Sequence, residues 1–426
     1  MYFTEKGQPY LKRQTRNVVQ NGSLESLRLL DSLDTVEKLH GPSTRLYFSF
    51  LLFLFCYNGF LALCSFVSWI IAIATISSSS TSSSSWSSLF VASYTTEDSL
   101  NWFWSNVILF CLVWLLSPCF YIWSNLKKEE VTQERVTSDE IVENVLTNRT
   151  TRYWLSTCCF LVALSISVAI MYGLIHAQVY VSQEHGDTTL LNVPLATLMS
   201  LPISVWFVFS NAVWDKVSFH LTQWEYNKRW LHFRISHATK LVTFKVTSAT
   251  LLYLLIAVTL RDSGECSLLQ GGINLFISIC IDMFLVTVLV KTAIPKLYRW
   301  FRQKWHNVSP TSLTGPMFDL SEEYLTALYF QFLFLLTLPL MPLVGVLGTL
   351  SPLVQFTMAR WKLMEKQHAN MYIQGRPTAF LSLSLLFVSL ATFLTFPNGL
   401  LWLLFLPHTL PIAMQNCSVI LASPTF

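Results

Sequence analysis

Nine apolar runs, most of them long enough to cross a bilayer as a helix, occupy most of this 426-residue chain. They lie near residues 46–76, 102–123, 153–181, 191–213, 240–260, 267–291, 323–340, 341–359 and 378–405. Inside hydrocarbon every backbone N–H and C=O must find a partner within its own segment, so such runs fold as helices. The sequence therefore predicts an all-α fold: a polytopic membrane helix bundle with about nine transmembrane helices.

The distribution of basic residues supports this count and orients the chain. If the N-terminus is cytoplasmic, 27 of the 28 Lys and Arg residues fall on the predicted inner side, and only Arg261 does not. Such an excess is typical of cytoplasmic loops. The net charge of +4 reflects this bias and does not indicate a nucleic-acid partner.

The same topology divides the chain into three parts. We expect a cytoplasmic N-terminal segment at 1–45, a transmembrane domain at 46–405 and a short extracellular tail at 406–426. Asn416 heads a sequon on the predicted outer side and could carry a glycan. The chain is expected to be an integral, multi-pass protein of the plasma membrane.

The run from 323 to 359 is long enough for two spans, and Pro339, Pro342 and Gly345 predict a turn inside it. A second pattern, at 214–240, combines aromatic and basic residues. We interpret it as an amphipathic helix on the inner membrane surface, or as a docking site for a cytosolic partner.

Little in the chain indicates a catalyst. Only 12% of its residues are charged, and no CxxC motif, His/Cys cluster or nucleophile–base pair is evident. We therefore expect no enzyme activity, no cofactor and no metal site.

A polar stripe runs along the sixth span. Gln270, Asn274, Ser278 and Asp282 stand four residues apart, so on an α-helix they drift only slowly around the axis. A carboxylate in mid-membrane is costly unless it faces water or a partner. The stripe therefore predicts either the wall of an ion path or a polar seam that holds neighbouring helices together.

Polar residues are concentrated in spans 4 to 7. The fourth carries a polar face that includes Asn211 and Asp215, the fifth carries Lys245, and the seventh carries Gln331. This concentration favours an ion path along the four spans. Its predicted pore-lining residues are Asn211, Gln270, Asn274, Ser278, Asp282 and Gln331.

Several motifs resemble a known family. Cys266, Gly272, Leu275 and Asp282 match the spacing of C-W-E-T-x-x-G-Q-E-L followed by an Asp seven residues beyond the Leu, although the other signature residues are replaced. The stretch with Tyr329, Gln331, Pro339 and Pro342 is similar to Y-x-Q…P-L-L-P. Together they resemble the transmembrane channel-like (TMC) family, a branch of the anoctamin/OSCA/TMC superfamily. That family has ten spans, and the tenth is expected to be missing here.

The resemblance implies an ion channel subunit that conducts cations and is mechanically gated, with Asp282 supplying negative charge to the path. It also implies contact with membrane lipids and inorganic cations, a homodimer, and a calcium- and integrin-binding type of cytosolic partner. Two alternatives stay open: a lipid scramblase, as in some anoctamins, and a non-conducting accessory subunit of a channel complex.

Overall fold

The structure is a computed structural model. It describes residues 42–78, 149–185, 189–190, 193–194, 200–225, 230–259, 267–293, 320–338 and 343–364, with isolated positions at 36, 297, 387–388 and 390–392.

The described residues form seven α-helices, one π-helix and one short strand pair. The α-helices are α1 Pro42–Ser78, α2 Arg149–His185, α3 Ser200–Trp224, α4 Trp230–Thr259, α5 Ser267–Cys280, α6 Leu320–Thr337 and α7 Val344–Met364. The π-helix Ile281–Ala293 continues α5 without a break. Strands β1 Thr189–Leu190 and β2 Val193–Pro194 pair antiparallel just before α3, with Thr189 opposite Pro194 and Leu190 opposite Val193.

The predicted all-α membrane fold is confirmed. Within the described ranges four stretches are long and apolar enough to cross a membrane, at Thr44–Phe66, Thr150–Val181, Ile235–Ile256 and Gly271–Val288. Helices α1 and α2 have 37 residues each, or about 55 Å at 1.5 Å per residue. Both are longer than the roughly 30 Å of bilayer hydrocarbon, so they extend beyond it.

The predicted start of the fourth span is wrong. Val193 and Pro194 form β2, and α3 begins only at Ser200. Pro194 cannot donate to an intrahelical bond, which explains why no helix runs through it. Pro202 is tolerated because it lies in the first turn of α3, where its missing N–H is not needed.

The predicted surface helix at 214–240 is also wrong. The segment is split between the end of α3 and the start of α4, which pack against each other as a hairpin. Glu225 is fully buried there and accepts hydrogen bonds from Lys240 Nζ and from Ser236 Oγ, the latter at 2.9 Å. Two of the charges that suggested a membrane surface, those of Glu225 and Lys240, are instead paired within the hairpin.

Helices α1 and α7 form the most extensive contact among the described helices. Gly345 lies in the first turn of α7 rather than in the predicted turn, and a Cβ built on it would stand 2.8 Å from Ala62 Cβ on α1. The glycine is needed because the two backbones approach so closely there. The break between α6 and α7 does fall at 338–343, while Pro339 and Pro342 themselves lie outside the described residues.

The segment with the polar stripe lies in the middle of the bundle. Helix α5 packs against α3, α4, α6 and α7, and the π-helix packs against α3 and α7. Leu275, Ile279 and Met283 are buried in the main hydrophobic core. Asn274 and Ser278 of this segment are likewise buried, so they lie among other helices and not against lipid.

Other predicted features fall outside the described residues. These are the span at 102–123, most of the span at 378–405, most of the N-terminal segment, the C-terminal tail, Cys266 and Asn416.

The α1–α7 contact generates a stability prediction. Gly345→Ala should lower the stability of the purified protein by about 1–3 kcal/mol, because the new methyl group meets Ala62 and its backbone at 3.1 Å or less. Gly173→Ala on α2 is the matched control, since its Cβ meets nothing within 4 Å. The control should gain about 0.5–1 kcal/mol from helix propensity. Thermal unfolding in detergent measures both, and equal effects would contradict the close approach.

Candidate functional site

Helix α3 buries a polar face inside the bundle. Ser204, Asn211 and Ser218 on α3 are all buried, and Glu225 directly after it is buried too. From Ser200 to Glu225 the chain rises about 37 Å, which exceeds the thickness of bilayer hydrocarbon. We call this surface the α3 polar face. Its members are Ser200, Ser204, Asn211, Asp215, Ser218, Thr222 and Glu225.

The opposite face of α3 is apolar and exposed. Leu201, Val205, Phe209, Val213 and Val217 follow one another at four-residue intervals, and each is exposed by at least 36%. Helix α3 therefore exposes an apolar stripe and buries its polar face, although the buried side also includes the apolar residues Ile203, Phe207, Val208 and Trp214. Lys216, His220 and Gln223 are exposed towards the end of the helix.

The first contact along the α3 polar face is with α5. Ser204 Oγ donates to the backbone carbonyl of Asn274 at 2.8 Å, and Ser278 Oγ donates to the same oxygen at 2.7 Å. The Asn274 side chain is fully buried, and neither its Oδ1 nor its Nδ2 has a hydrogen-bond partner among the described residues. Such an amide is rare, because a buried unpaired polar group costs about 1–3 kcal/mol.

A second set of contacts lies further along α3. Asn211 Nδ2 donates to Tyr329 Oη on α6 at 3.1 Å. Lys245 on α4 places its Nζ 3.0 Å from Asp215 Oδ1 and 4.9 Å from the centre of the Tyr329 ring. The carboxylates of Asp215 and Asp282 both lie within electrostatic range of the Tyr329 hydroxyl. We call Asn211, Asp215, Lys245, Asp282 and Tyr329 the central cluster.

The third set of contacts joins α3 to α4 near the hairpin. Ser218 Oγ lies 3.3 Å from His237 Nδ1, and Lys240 Nζ donates to Thr222 Oγ1 at 3.4 Å as well as to Glu225. The α3 polar face thus has polar neighbours at both ends and in its middle. Polar contacts therefore recur at three levels along α3.

The π-helix changes the register of the predicted stripe. Asp282 lies in its first turn, and Thr287 Oγ1 donates to the Asp282 carbonyl at 3.1 Å, five residues back. The four-residue spacing therefore holds along α5 as far as Ser278 and changes at Asp282. π-helical segments are frequent at functional sites.

The structure brings four of the six predicted pore-lining residues to one region. Asn211, Asn274, Ser278 and Asp282 all lie along or next to the α3 polar face. Gln270 lies in α5, but its side chain is outside the described part of the structure. Of the predicted signature residues, Gly272 and Leu275 are buried within α5.

Gln331 lies elsewhere. Its side-chain amide forms two hydrogen bonds with the Asn58 amide on α1, at 2.8 and 2.9 Å, and Asn58 Nδ2 also donates to the Gly348 carbonyl at 2.8 Å. All of these groups are buried, so Gln331 joins α6 to α1 and α7. Sequence reasoning missed Asn58, although an amide inside an apolar run was a signal for it.

The ion pair of Lys245 and Asp215 was also not predicted. Both residues were noted as polar members of neighbouring spans, and their opposite charges were the signal for pairing. As for metals, the described ranges contain no group of three or more His, Cys, Asp or Glu residues that could hold an ion.

The two buried amides should respond oppositely to the same substitution. Asn274→Leu should leave stability unchanged or raise it, because it removes an unpaired polar group at similar volume. Asn58→Leu should lower stability by about 2–4 kcal/mol, because it leaves the Gln331 amide and the Gly348 carbonyl unpaired. Thermal unfolding in detergent compares the two. A large loss for Asn274→Leu would mean that its amide has a structural partner.

Comparison with known proteins identifies a family. The family model described as "Anoctamin: Calcium-activated chloride channel" matches residues 36–323, about two thirds of the chain. No curated protein matches the chain. Members of this family are multi-pass membrane proteins that act as channels or lipid scramblases and not as enzymes, and they often form dimers. The chain belongs to the anoctamin family.

Proposed function

We propose that this protein is an ion channel subunit whose conduction path runs along the α3 polar face, between α3, α4, α5 with its π-helix, and α6. The observation that carries the proposal is the orientation of α3. Helix α3 is long enough to cross bilayer hydrocarbon, buries polar residues from Ser200 to Thr222 and exposes an apolar stripe. We expect such a helix where ions cross.

The path is closed in this conformation. Its charged groups are paired, as in Lys245 with Asp215 and Lys240 with Glu225, and its small polar groups are buried. Conduction therefore requires α3 to separate from α4, α5 and α6. Once water enters, the polar side chains would replace part of an ion's hydration shell.

We infer that the open path favours cations. The central cluster contains two carboxylates, of Asp215 and Asp282, and one basic residue, Lys245. The resulting negative charge would concentrate cations. The TMC resemblance implies the same selectivity together with mechanical gating, whereas the family description names chloride. Selectivity is therefore the sharpest test.

A second candidate function is lipid scrambling, and one observation favours it. The polar face of α3 points into the bundle, and the opposite face of the same helix is exposed. The body of α3 therefore lies between its polar residues and lipid. If α3 moved away, the polar face would open towards the bilayer as a furrow in which lipid headgroups could cross. The family includes scramblases as well as channels.

Assembly and location are proposed from the family, whose members are multi-pass membrane proteins that often form dimers. We propose a homodimer in the plasma membrane. A cytosolic partner of the calcium- and integrin-binding type stays a prediction, and its suggested dock at 214–240 is not a separate surface helix.

Asp282 provides the functional test. In liposomes under stepped pressure, Asp282→Asn should reduce the cation-to-anion permeability ratio. Asp282→Lys should lower it by at least about tenfold, equivalent to about 1.4 kcal/mol. Patch-clamp reversal potentials in asymmetric salt measure the ratio. Glu322→Lys makes the same charge change at an exposed position of α6 and should leave selectivity unchanged.

The outcomes separate the candidate functions. An anion-selective wild type would contradict the proposed cation path. No current with transfer of labelled lipid between leaflets would support the scramblase, and neither activity from correctly inserted protein would support the accessory subunit.

A further inference from the structure

The ammonium group of Lys245 occupies a site with the chemistry of a cation-binding site. The lysine side chain is only 8% exposed, and its Nζ lies 3.0 Å from Asp215 Oδ1. It also lies 4.9 Å from the centre of the Tyr329 ring, within the range of a cation–π interaction. A carboxylate oxygen and an aromatic face both attract small cations, whatever their source.

The neighbouring Asn211 adds a further acceptor. It precedes Asp215 by four residues, so both side chains lie on the same face of α3. Its Nδ2 fixes the Tyr329 hydroxyl, while its Oδ1 is buried with no hydrogen-bond partner in the described part of the chain. An amide oxygen of this kind is a typical ligand for alkali cations, because it can replace water of hydration.

Lysine is suited to act as a movable occupant of such a site. Its charge is a compact ammonium on a flexible four-carbon stem, unlike the planar group of arginine. Ammonium and K⁺ are similar in size and charge. The same oxygen atoms and aromatic face could therefore accept either of them.

We propose that Asp215, Tyr329 and Asn211 form a binding site for a monovalent cation, and that the Lys245 ammonium fills this site while the path is closed. This inference rests on the proposed function, since it makes Lys245 a tethered cation that holds the position of a permeant ion. When α4 moves away from α3, the ammonium withdraws and a free cation of the size of K⁺ takes its place.

A binding experiment tests the site without requiring conduction. Lys245→Ala removes the three methylene groups and the ammonium beyond Cβ, which together correspond to n-propylammonium. Adding n-propylammonium to the purified variant in detergent should raise its thermal midpoint by a few degrees in a saturable manner. The wild type should show no such shift, because its own ammonium fills the site.

Two controls make the result specific. n-Propanol has nearly the same shape without the charge and should not stabilise Lys245→Ala. The double variant Lys245→Ala/Asp215→Asn lacks the carboxylate and should not respond to n-propylammonium. Equal shifts of the thermal midpoint in all variants, or no shift in Lys245→Ala, would contradict the proposed site.

A second variant covers the case in which Lys245→Ala does not fold. The methionine side chain of Lys245→Met ends at Cε and lacks the ammonium group. The position of that group therefore becomes open to an ion. K⁺ should then raise its thermal midpoint more than Li⁺ does at equal ionic strength, and the wild type should not discriminate. Equal effects of the two ions would overturn the site.

Currents then separate this inference from the proposed function. In liposomes without applied pressure, Lys245→Ala should leak several-fold more cation current than the wild type, and n-propylammonium should suppress the leak. Stabilisation by n-propylammonium without any current would support the site and contradict the channel. A leak that n-propylammonium does not change would support the channel and contradict the site.

Discussion

A polar group in the interior of a membrane has to find its hydrogen-bond partner within the protein, because lipid offers none. The arrangement of α3 follows from this constraint. Its exposed apolar stripe can face lipid, whereas its buried serines, Asn211 and the half-buried Asp215 face inward, where α4, α5 and α6 supply partners. Along α3, the contact of Ser204 with Asn274 on α5 comes before the contact of Asn211 with Tyr329 on α6.

The bundle combines two kinds of interface. Helices α1 and α7 meet through small residues, and the buried amides of Asn58 and Gln331 satisfy each other there. The contacts of α3 are different, because the buried Asn274 side chain and one atom of Asn211 remain unpaired within the described residues. Separating α1 from α6 would break the hydrogen bonds between the Asn58 and Gln331 amides, whereas separating the α3 contacts would hydrate the unpaired atoms of Asn274 and Asn211. This difference supports the movement of α3, and not of α1 or α7, as the opening step.

Much of the fold could be predicted from the sequence, since long apolar runs in a bilayer have few alternatives to helix. The boundaries were less predictable. The segment at 214–240 looked like a surface helix because its charges and aromatics fit an interface, yet Glu225 and Lys240 lie close together only when α3 and α4 form a hairpin. Gly345 looked like a turn residue, because sequence alone does not reveal that α1 approaches it.

The candidate site was predictable where polar residues repeat. Asn274 and Ser278 share a face because they lie four residues apart, and the Asn274 carbonyl accepts from both Ser278 and Ser204 of α3. Asp282 lies in the π-helix, where this four-residue register changes. Gln331 is a single amide in an apolar helix, so periodicity could not show that it faces Asn58. The pairing of Lys245 with Asp215 depends on how α3 and α4 pack, which one sequence does not specify.

The central claim is that the α3 polar face lines the conduction path, and cysteine accessibility tests it most directly. Ser204→Cys and Ser218→Cys place a thiol on the polar face. Val205→Cys and Val217→Cys place a thiol on the exposed apolar face, each one residue away from a tested serine. During channel activity, a membrane-impermeant cationic thiol reagent should block current through the two serine positions and leave the two valine positions unchanged. Block at the valine positions with no effect at the serine positions would contradict the account.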